Sequence, residues 1–170
     1  MHRHSILIVD DEPNILSALR RSLAQEFDVR TAPGADAALE ILAAEHVDAI
    51  ITDHDMPGRT GAELLGIVRQ RHPDVVRLML SGKADLRMAN DAVNDEMVYR
   101  FLVKPWEDSE VRLMIRLALR HREDQLRVKE LSRLVADQAA LFAKILEHHP
   151  DCQVLLERYL NDAALEPVLA

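Results

Sequence analysis

One cysteine, one tryptophan, two tyrosines and five glycines are all that this 170-residue chain holds of those four residue types. Each scarcity excludes something. The single Cys152 rules out an intrachain disulfide and a zinc site built on cysteines. It points to a reducing, cytoplasmic setting. Aromatics make up only 4% of the chain, so any core must be built from Leu, Ile, Val, Ala and Met. Basic residues are in deficit, 21 against 29 acidic ones, for a formal net charge of −8. Nonspecific nucleic-acid binding needs clustered Lys and Arg, so direct nucleic-acid binding is not expected. No apolar run approaches the ~18 residues of a membrane span. The first apolar run, Ser5–Val9, stops at Asp10-Asp11-Glu12 and is too short for a secretory leader. What is present is 48% hydrophobic residues, enough for a real core, in a length that suits one domain and an appendage.

Residues 1–122 alternate short aliphatic runs with amphipathic segments. The strand candidates are Ile6–Val9, Val29–Ala32, Ala49–Thr52, Arg77–Ser81 and Arg100–Val103. The first, third and fourth are nearly all apolar, the pattern of strands covered on both faces in a parallel sheet. Between them lie helix candidates at Asn14–Gln25, Ala35–Ala44, Ala62–Arg71 and Leu86–Val93, with another starting near Ser109. In the first helix Ile15, Leu16, Leu19 and Leu23 share one stripe; Thr60 and Asp85 are placed to cap later ones. Strand–helix alternation of this kind predicts an open α/β sheet, and such sheets bind ligands beyond the carboxyl ends of their strands.

Those ends carry chemistry. Asp10-Asp11 follow the first strand, Asp53 the third, Ser81 closes the fourth, and Lys104-Pro105 follow the fifth. Asp10, Asp11 and Asp53 together carry −3; Lys104 and one Mg²⁺ would bring the sum to zero. Converging carboxylates must protonate or recruit a cation, and Mg²⁺ prefers one or two carboxylates with phosphate oxygens and water. A carboxylate beside Mg²⁺, a lysine and a hydroxyl is equipped for phosphoryl transfer, with the carboxylate as nucleophile.

With these residues in place, roughly residues 4–122 resemble the response-regulator receiver domains of two-component signalling. The acidic pair matches Asp10-Asp11, the Asp-x-x-Met-Pro-x-x-x-Gly motif matches Asp53, Met56, Pro57 and Gly61, the hydroxyl position matches Ser81, and the Lys-Pro pair matches Lys104-Pro105. The resemblance implies a flavodoxin-like, doubly wound five-stranded parallel sheet of order 2-1-3-4-5, with a C-terminal helical extension here. It implies that Asp53 accepts a phosphoryl group from a histidine kinase or phosphotransfer protein. Mg²⁺ would be held by Asp11 and Asp53, by Asp10 through water, and by the backbone carbonyl of Asp55. Lys104 would pair with Asp53 and then with the phosphoryl group, Ser81 would hydrogen-bond that group, and Phe101 would be the aromatic switch. The bond before Pro105 would be cis. Such a domain is a signalling phosphoprotein rather than an enzyme.

Gly82 stands where the family usually has a small residue such as Ala after the hydroxyl, and Phe101 lacks the hydroxyl of a tyrosine. Asp55 and Lys83 flank the site and are expected to pair across the cleft and tune the phosphoryl lifetime. The stretch Ala92–Trp106 resembles receivers attached to ATPase-type transcription activators, HD-type phosphodiesterases or hybrid kinases. Two other readings stand beside this one. Asp53-His54-Asp55 also resembles the nucleophile motif of haloacid-dehalogenase-type phosphatases, with Asp53 as nucleophile and Asp55 as general acid, but there the nucleophile precedes the acidic pair. A non-switching interaction module is the other, disfavoured by the intact acidic, hydroxyl and lysine set.

The second region, residues 123–170, holds no strand candidate. From Glu107 to His149 there is neither Gly nor Pro to stop a helix. Val128, Leu131, Val135, Gln138, Phe142 and Ile145 recur at spacings of three and four, a heptad seam with one polar position. This is either a helix packed on its own domain or a coiled coil that joins two copies through the last receiver helix and its extension. A short helix over Asp151–Leu160 is predicted beyond it, and His148-His149 lack the acidic or cysteine partners of a metal site.

Overall fold

The computed structural model describes residues 3–82, 99–148, 151, 154 and 155. The elements follow in the order β1 (Ser5–Val9), α1 (Pro13–Leu23), β2 (Asp28–Ala32), α2 (Ala35–Ala44), β3 (Ala49–Asp53), α3 (Gly61–Arg71), β4 (Val76–Ser81), β5 (Arg100–Val103) and α4 (Asp108–His148). The expected helix at Leu86–Val93, its cap Asp85, Lys83 and His149 lie outside the described residues. So does all of the Asp151–Leu160 segment except Asp151, Val154 and Leu155.

Among the described residues one sheet forms, in the order β2-β1-β3-β4-β5, with every pairing parallel. This is the doubly wound topology expected from the sequence. Its cause is legible in the side chains of the middle strands, whose successive residues point to opposite faces. Ile6, Ile8, Ala49, Ile51, Leu78 and Leu80 face one way and meet Leu19 and Leu23 of α1 and Val111, Ile115, Ala118 and Leu119 of α4. Leu7, Val9, Ile50 and Met79 face the other way and meet Ala35, Ala38 and Leu42 of α2 and Leu64, Leu65 and Val68 of α3. All residues of β1 and β3 are buried. A strand with only one covered face would have needed polar residues at alternate positions. The edge strand β2 has them, in Asp28 and Arg30, and Arg30 pairs with Asp28 and Glu45 at the surface.

Local signals set the element ends. Pro13 opens α1, where its missing N–H costs nothing. Thr60 caps α3 in a capping box: its hydroxyl accepts the Glu63 N–H, and the Glu63 carboxylate accepts the Thr60 N–H. Strand β3 runs one residue further than its apolar pattern, to Asp53, because Asp53 still pairs with Leu80 of β4.

The chain divides into two compact units, one ending at Glu123 and one beginning at Asp124. In the second unit Val128, Leu131, Val135, Phe142 and Ile145 are all exposed, as are Leu134 and Leu141. Among the described residues, no helix is long and apolar enough to cross a membrane.

Candidate functional site

Parallel strands deliver their carboxyl ends to one edge, and four of them deliver the residues singled out above. Asp10 follows β1, Asp53 ends β3, Ser81 ends β4 and Lys104 follows β5. Backbone hydrogen bonds continue past the strands and fix these positions: the Asp10 N–H donates to Ala32 O, the His54 N–H to Leu80 O and the Lys104 N–H to Ser81 O. The Lys104–Pro105 peptide is cis.

The Lys104 ammonium lies between two carboxylates. Its Nζ is 2.6 Å from Asp53 Oδ1 and 3.5 Å from Asp10 Oδ2. Asp53 Oδ2 accepts the Asp55 N–H at 3.1 Å, and Asp10 Oδ1 accepts the Glu12 N–H at 2.8 Å. Asp10 is fully buried, and Asp53 and Ser81 are nearly so. The Ser81 hydroxyl donates to Gly82 O at 3.2 Å. Asp11, the next residue along the chain from Asp10, is exposed.

Burial pushes the Asp10 carboxyl above its ordinary value; the Glu12 N–H and Lys104 pull it down and do not compensate, and the Asp53 charge adds to the rise. For Lys104, burial works against the ammonium, yet the contact with Asp53 and the charge of Asp10 outweigh it and raise its pKa. Two buried carboxylates therefore share one cation. The pocket has a deficit of positive charge.

Among the described residues, no three His, Cys, Asp or Glu side chains gather closely enough to cage a metal on their own. Mg²⁺ keeps several waters and binds through one or two carboxylates, so it does not require a cage of three protein side chains. The donor set, all oxygen and under-neutralised, fits the ion expected from the sequence.

Gly61 has a steric task that its motif position did not explain. A Cβ there would collide with the carbonyl oxygen of Asp53, because the start of α3 passes directly over the end of β3; the Gly61 N–H donates to His54 O at 3.0 Å. Between them, Gly58 makes the turn with φ +80°. Met56 is buried against the α2–α3 face and anchors the loop from below.

The remaining expected residues are placed as follows. Phe101 is half-buried and packs against the core on the α2–α3 face. The Asp55 carboxylate is exposed, 3.8 Å from His54 Nε2, and Asp55 serves Asp53 through its backbone N–H. Its expected partner Lys83 is outside the described residues.

One cluster has no counterpart in the sequence reading. Asp48, just before β3, is buried at the opposite end of the sheet. It accepts the Ser5 N–H at 2.9 Å and a 2.7 Å contact from Arg122 Nη1, with His46 Nε2 at 3.2 Å. Burial alone would raise its pKa, but these partners hold it at about 2. An acid immediately before a largely apolar strand could have marked Asp48 itself, though not its partners.

Comparison with known proteins supplies the family. The sequence model described as the response regulator receiver domain matches residues 6–116. The hydrogenase transcriptional regulatory protein HoxA of Cupriavidus necator is 42% identical over 102 residues, covering 60% of this chain and 21% of HoxA. The response regulator protein PilR of Pseudomonas aeruginosa is 31% identical over 156 residues, covering 91% of this chain and 33% of PilR. The signal receiver domain of an HD domain-containing protein from Pseudomonas fluorescens Pf-5 superposes with a TM-score of 0.68 at 35% identity, over 72% of this chain and 99% of that one. The chain thus spans a third or less of the length of these two curated relatives.

Proposed function

The chain belongs to the response regulator receiver domain family of two-component signalling, and we propose that Asp53 is its phosphoacceptor. The observation that carries this reading is the shared lysine: Lys104 lies 2.6 Å from Asp53 and 3.5 Å from a fully buried Asp10. One oxygen of Asp53 is oriented by Lys104 and the other by the Asp55 N–H. An oxygen of Asp53 forms the new bond to phosphorus as the bond from phosphorus to the donor histidine's nitrogen breaks, with the electron pair leaving on that nitrogen. Lys104 then has three more anionic oxygens to pair with, and Ser81, at the end of the neighbouring strand, has an acceptor for its hydroxyl.

Mg²⁺ completes the site in this reading, held by Asp11, Asp53 and the Asp55 carbonyl, with Asp10 acting through water. Bound there, it would neutralise charge on the transferred group. The donor is a histidine kinase or phosphotransfer protein, and the setting is the cytoplasm. Phosphorylation acts by stabilising one of two conformations, with Phe101 repacking between them, and the chain controls a partner or an attached output rather than turning over a substrate. The exposed seam Val128, Leu131, Val135, Phe142 and Ile145 supports pairing of two copies as a coiled coil. The phosphatase alternative has less support, because the Asp55 carboxylate is exposed beside His54.

The test is incorporation of phosphate from acetyl phosphate with Mg²⁺, read by intact mass. Wild type should gain one phosphoryl group and lose it slowly. Asp53→Asn should gain none while keeping its circular dichroism. Uptake by Asp53→Asn at the wild-type level, or catalytic release of phosphate from monoesters, would overturn the assignment.

A further inference from the structure

The buried apolar residues of α4 recur at Val111, Ile115, Ala118 and Leu119, and then they stop. The next turn is held differently. Three consecutive residues each reach the start of a different strand. His121 stacks at a tilt on Tyr99, just before β5, with ring centroids 5.4 Å apart. Arg122 Nη1 contacts Asp48 Oδ1, just before β3, at 2.7 Å. Glu123 Oε1 lies 3.4 Å from His4 Nε2, just before β1, and the same imidazole's Nδ1 is 3.5 Å from Asp48 Oδ2. The first compact unit ends at Glu123.

Asp48 is itself tied into the sheet. Its side chain accepts the Ser5 N–H, its own N–H donates to Ser5 O, and its carbonyl accepts the Val76 N–H. Whatever grips Asp48 grips β1, β3 and β4 together. Arg122 does so from a position where its Nε is buried without a hydrogen-bond partner among the described residues. Plain packing would be better served there by an apolar side chain, since a desolvated guanidinium with an orphan donor is unfavourable. A directional contact is what the arginine adds.

We propose that His121, Arg122 and Glu123 form a clamp that pins the last turn of α4 within the first unit to the sheet end remote from Asp53, making it the fixed end about which the switch moves α4. The opposite end of this segment adjoins the Lys104-Pro105 loop, and in this proposal it is the end that moves when Asp53 is phosphorylated. The clamp stands on its own geometry; the movement about it rests on the reading of Asp53 as phosphoacceptor. Asp48 and Arg122 are positioning residues, since neither touches the acceptor.

The test is amide hydrogen exchange on the whole chain, with and without Mg²⁺ and beryllofluoride, in wild type, Arg122→Gln and Asp48→Asn. Without the phosphoryl mimic, either variant should speed exchange of the amides of residues 120–124 at least tenfold more than that of Ile50 and Ile51, which read any loss of global stability. Phosphoryl uptake from acetyl phosphate should stay within twofold of wild type. The mimic-induced change over residues 124–148 should fall by half or more in both variants. Unchanged exchange at residues 120–124 in both variants overturns the clamp. A freed turn with the mimic-induced change intact overturns its role as the fixed end. Lack of any phosphoryl uptake by wild type overturns the acceptor reading and the movement with it, and leaves the clamp to be judged by exchange alone.

Discussion

Each end of the parallel sheet carries a buried aspartate facing a cation, but the two are satisfied to different degrees. At the carboxyl end, Asp10 shares Lys104 with Asp53, keeps a 3.5 Å contact to it, and is pushed above its ordinary pKa by burial. At the amino end, Asp48 is also buried, yet an arginine, a backbone N–H and an imidazole hold it at about 2. The same residue type, buried in both places, is under-neutralised at one end and saturated at the other. A saturated carboxylate is finished as structure. An under-neutralised one leaves charge to be met by an incoming ion or group, so electrostatic frustration favours the carboxyl end, where we propose Asp53 is phosphorylated, as the reactive end of this sheet.

Breaking the close approach of helix and strand at the reactive end should have the largest effect. Gly61→Ala drives a Cβ into the backbone of Asp53 and should cost about 3 kcal/mol, at the top of the range for overpacking. Urea unfolding would measure it, and phosphoryl uptake should slow in the same variant. At the saturated end, Asp48→Asn should cost about 2 kcal/mol near neutral pH, the worth of moving a carboxyl from its ordinary 3.8 to about 2.

The two aspartates also give opposite pH signatures. Asp48 binds its proton more weakly folded than unfolded, so its stabilisation is complete above its ordinary value of 3.8 and is lost as pH falls toward 2. Asp10 binds its proton more tightly folded, so its ionisation subtracts stability as pH rises from 3.8 through its raised folded value. Unfolding of Asp48→Asn as a function of pH should therefore lack part of the acid-side decline seen in wild type. Asp10→Asn should lack the opposing term and be slightly more stable than wild type at pH 7. Mg²⁺ should raise the thermal midpoint of wild type more than that of Asp10→Asn. If Asp10→Asn is instead destabilised at pH 7, Asp10 is as satisfied as Asp48 and the contrast between the two ends fails.

The reactive end was legible because its residues sit at the ends of strands the sequence announces. Ile6–Val9 and Ala49–Thr52 are too apolar to have a wet face, so the acids that follow them must meet at one edge. Thr60 stands where a cap is expected and caps α3 in the structure, where Glu63 completes a capping box not foreseen from the sequence. The other end was not legible. Asp48 finds its partners 43 and 74 residues away, at Ser5 and Arg122, and no local pattern encodes such separations. Arg122 lies among Arg120, His121 and Glu123 and has the look of an exposed helix face until the fold turns it inward. The steric reason for Gly61 was hidden likewise, since it depends on where Asp53's carbonyl lies after the chain has turned through Gly58.

The site of the covalent bond tests the central claim most directly. After phosphorylation with acetyl phosphate and Mg²⁺, borohydride reduces an aspartyl phosphate to homoserine, which peptide mass spectrometry locates. The account predicts that Asp53 alone is converted, with a yield that depends on Mg²⁺ and falls sharply in Lys104→Ala. Conversion at Asp10, Asp11 or Asp55, or none at all in folded protein with Mg²⁺ present, would contradict it.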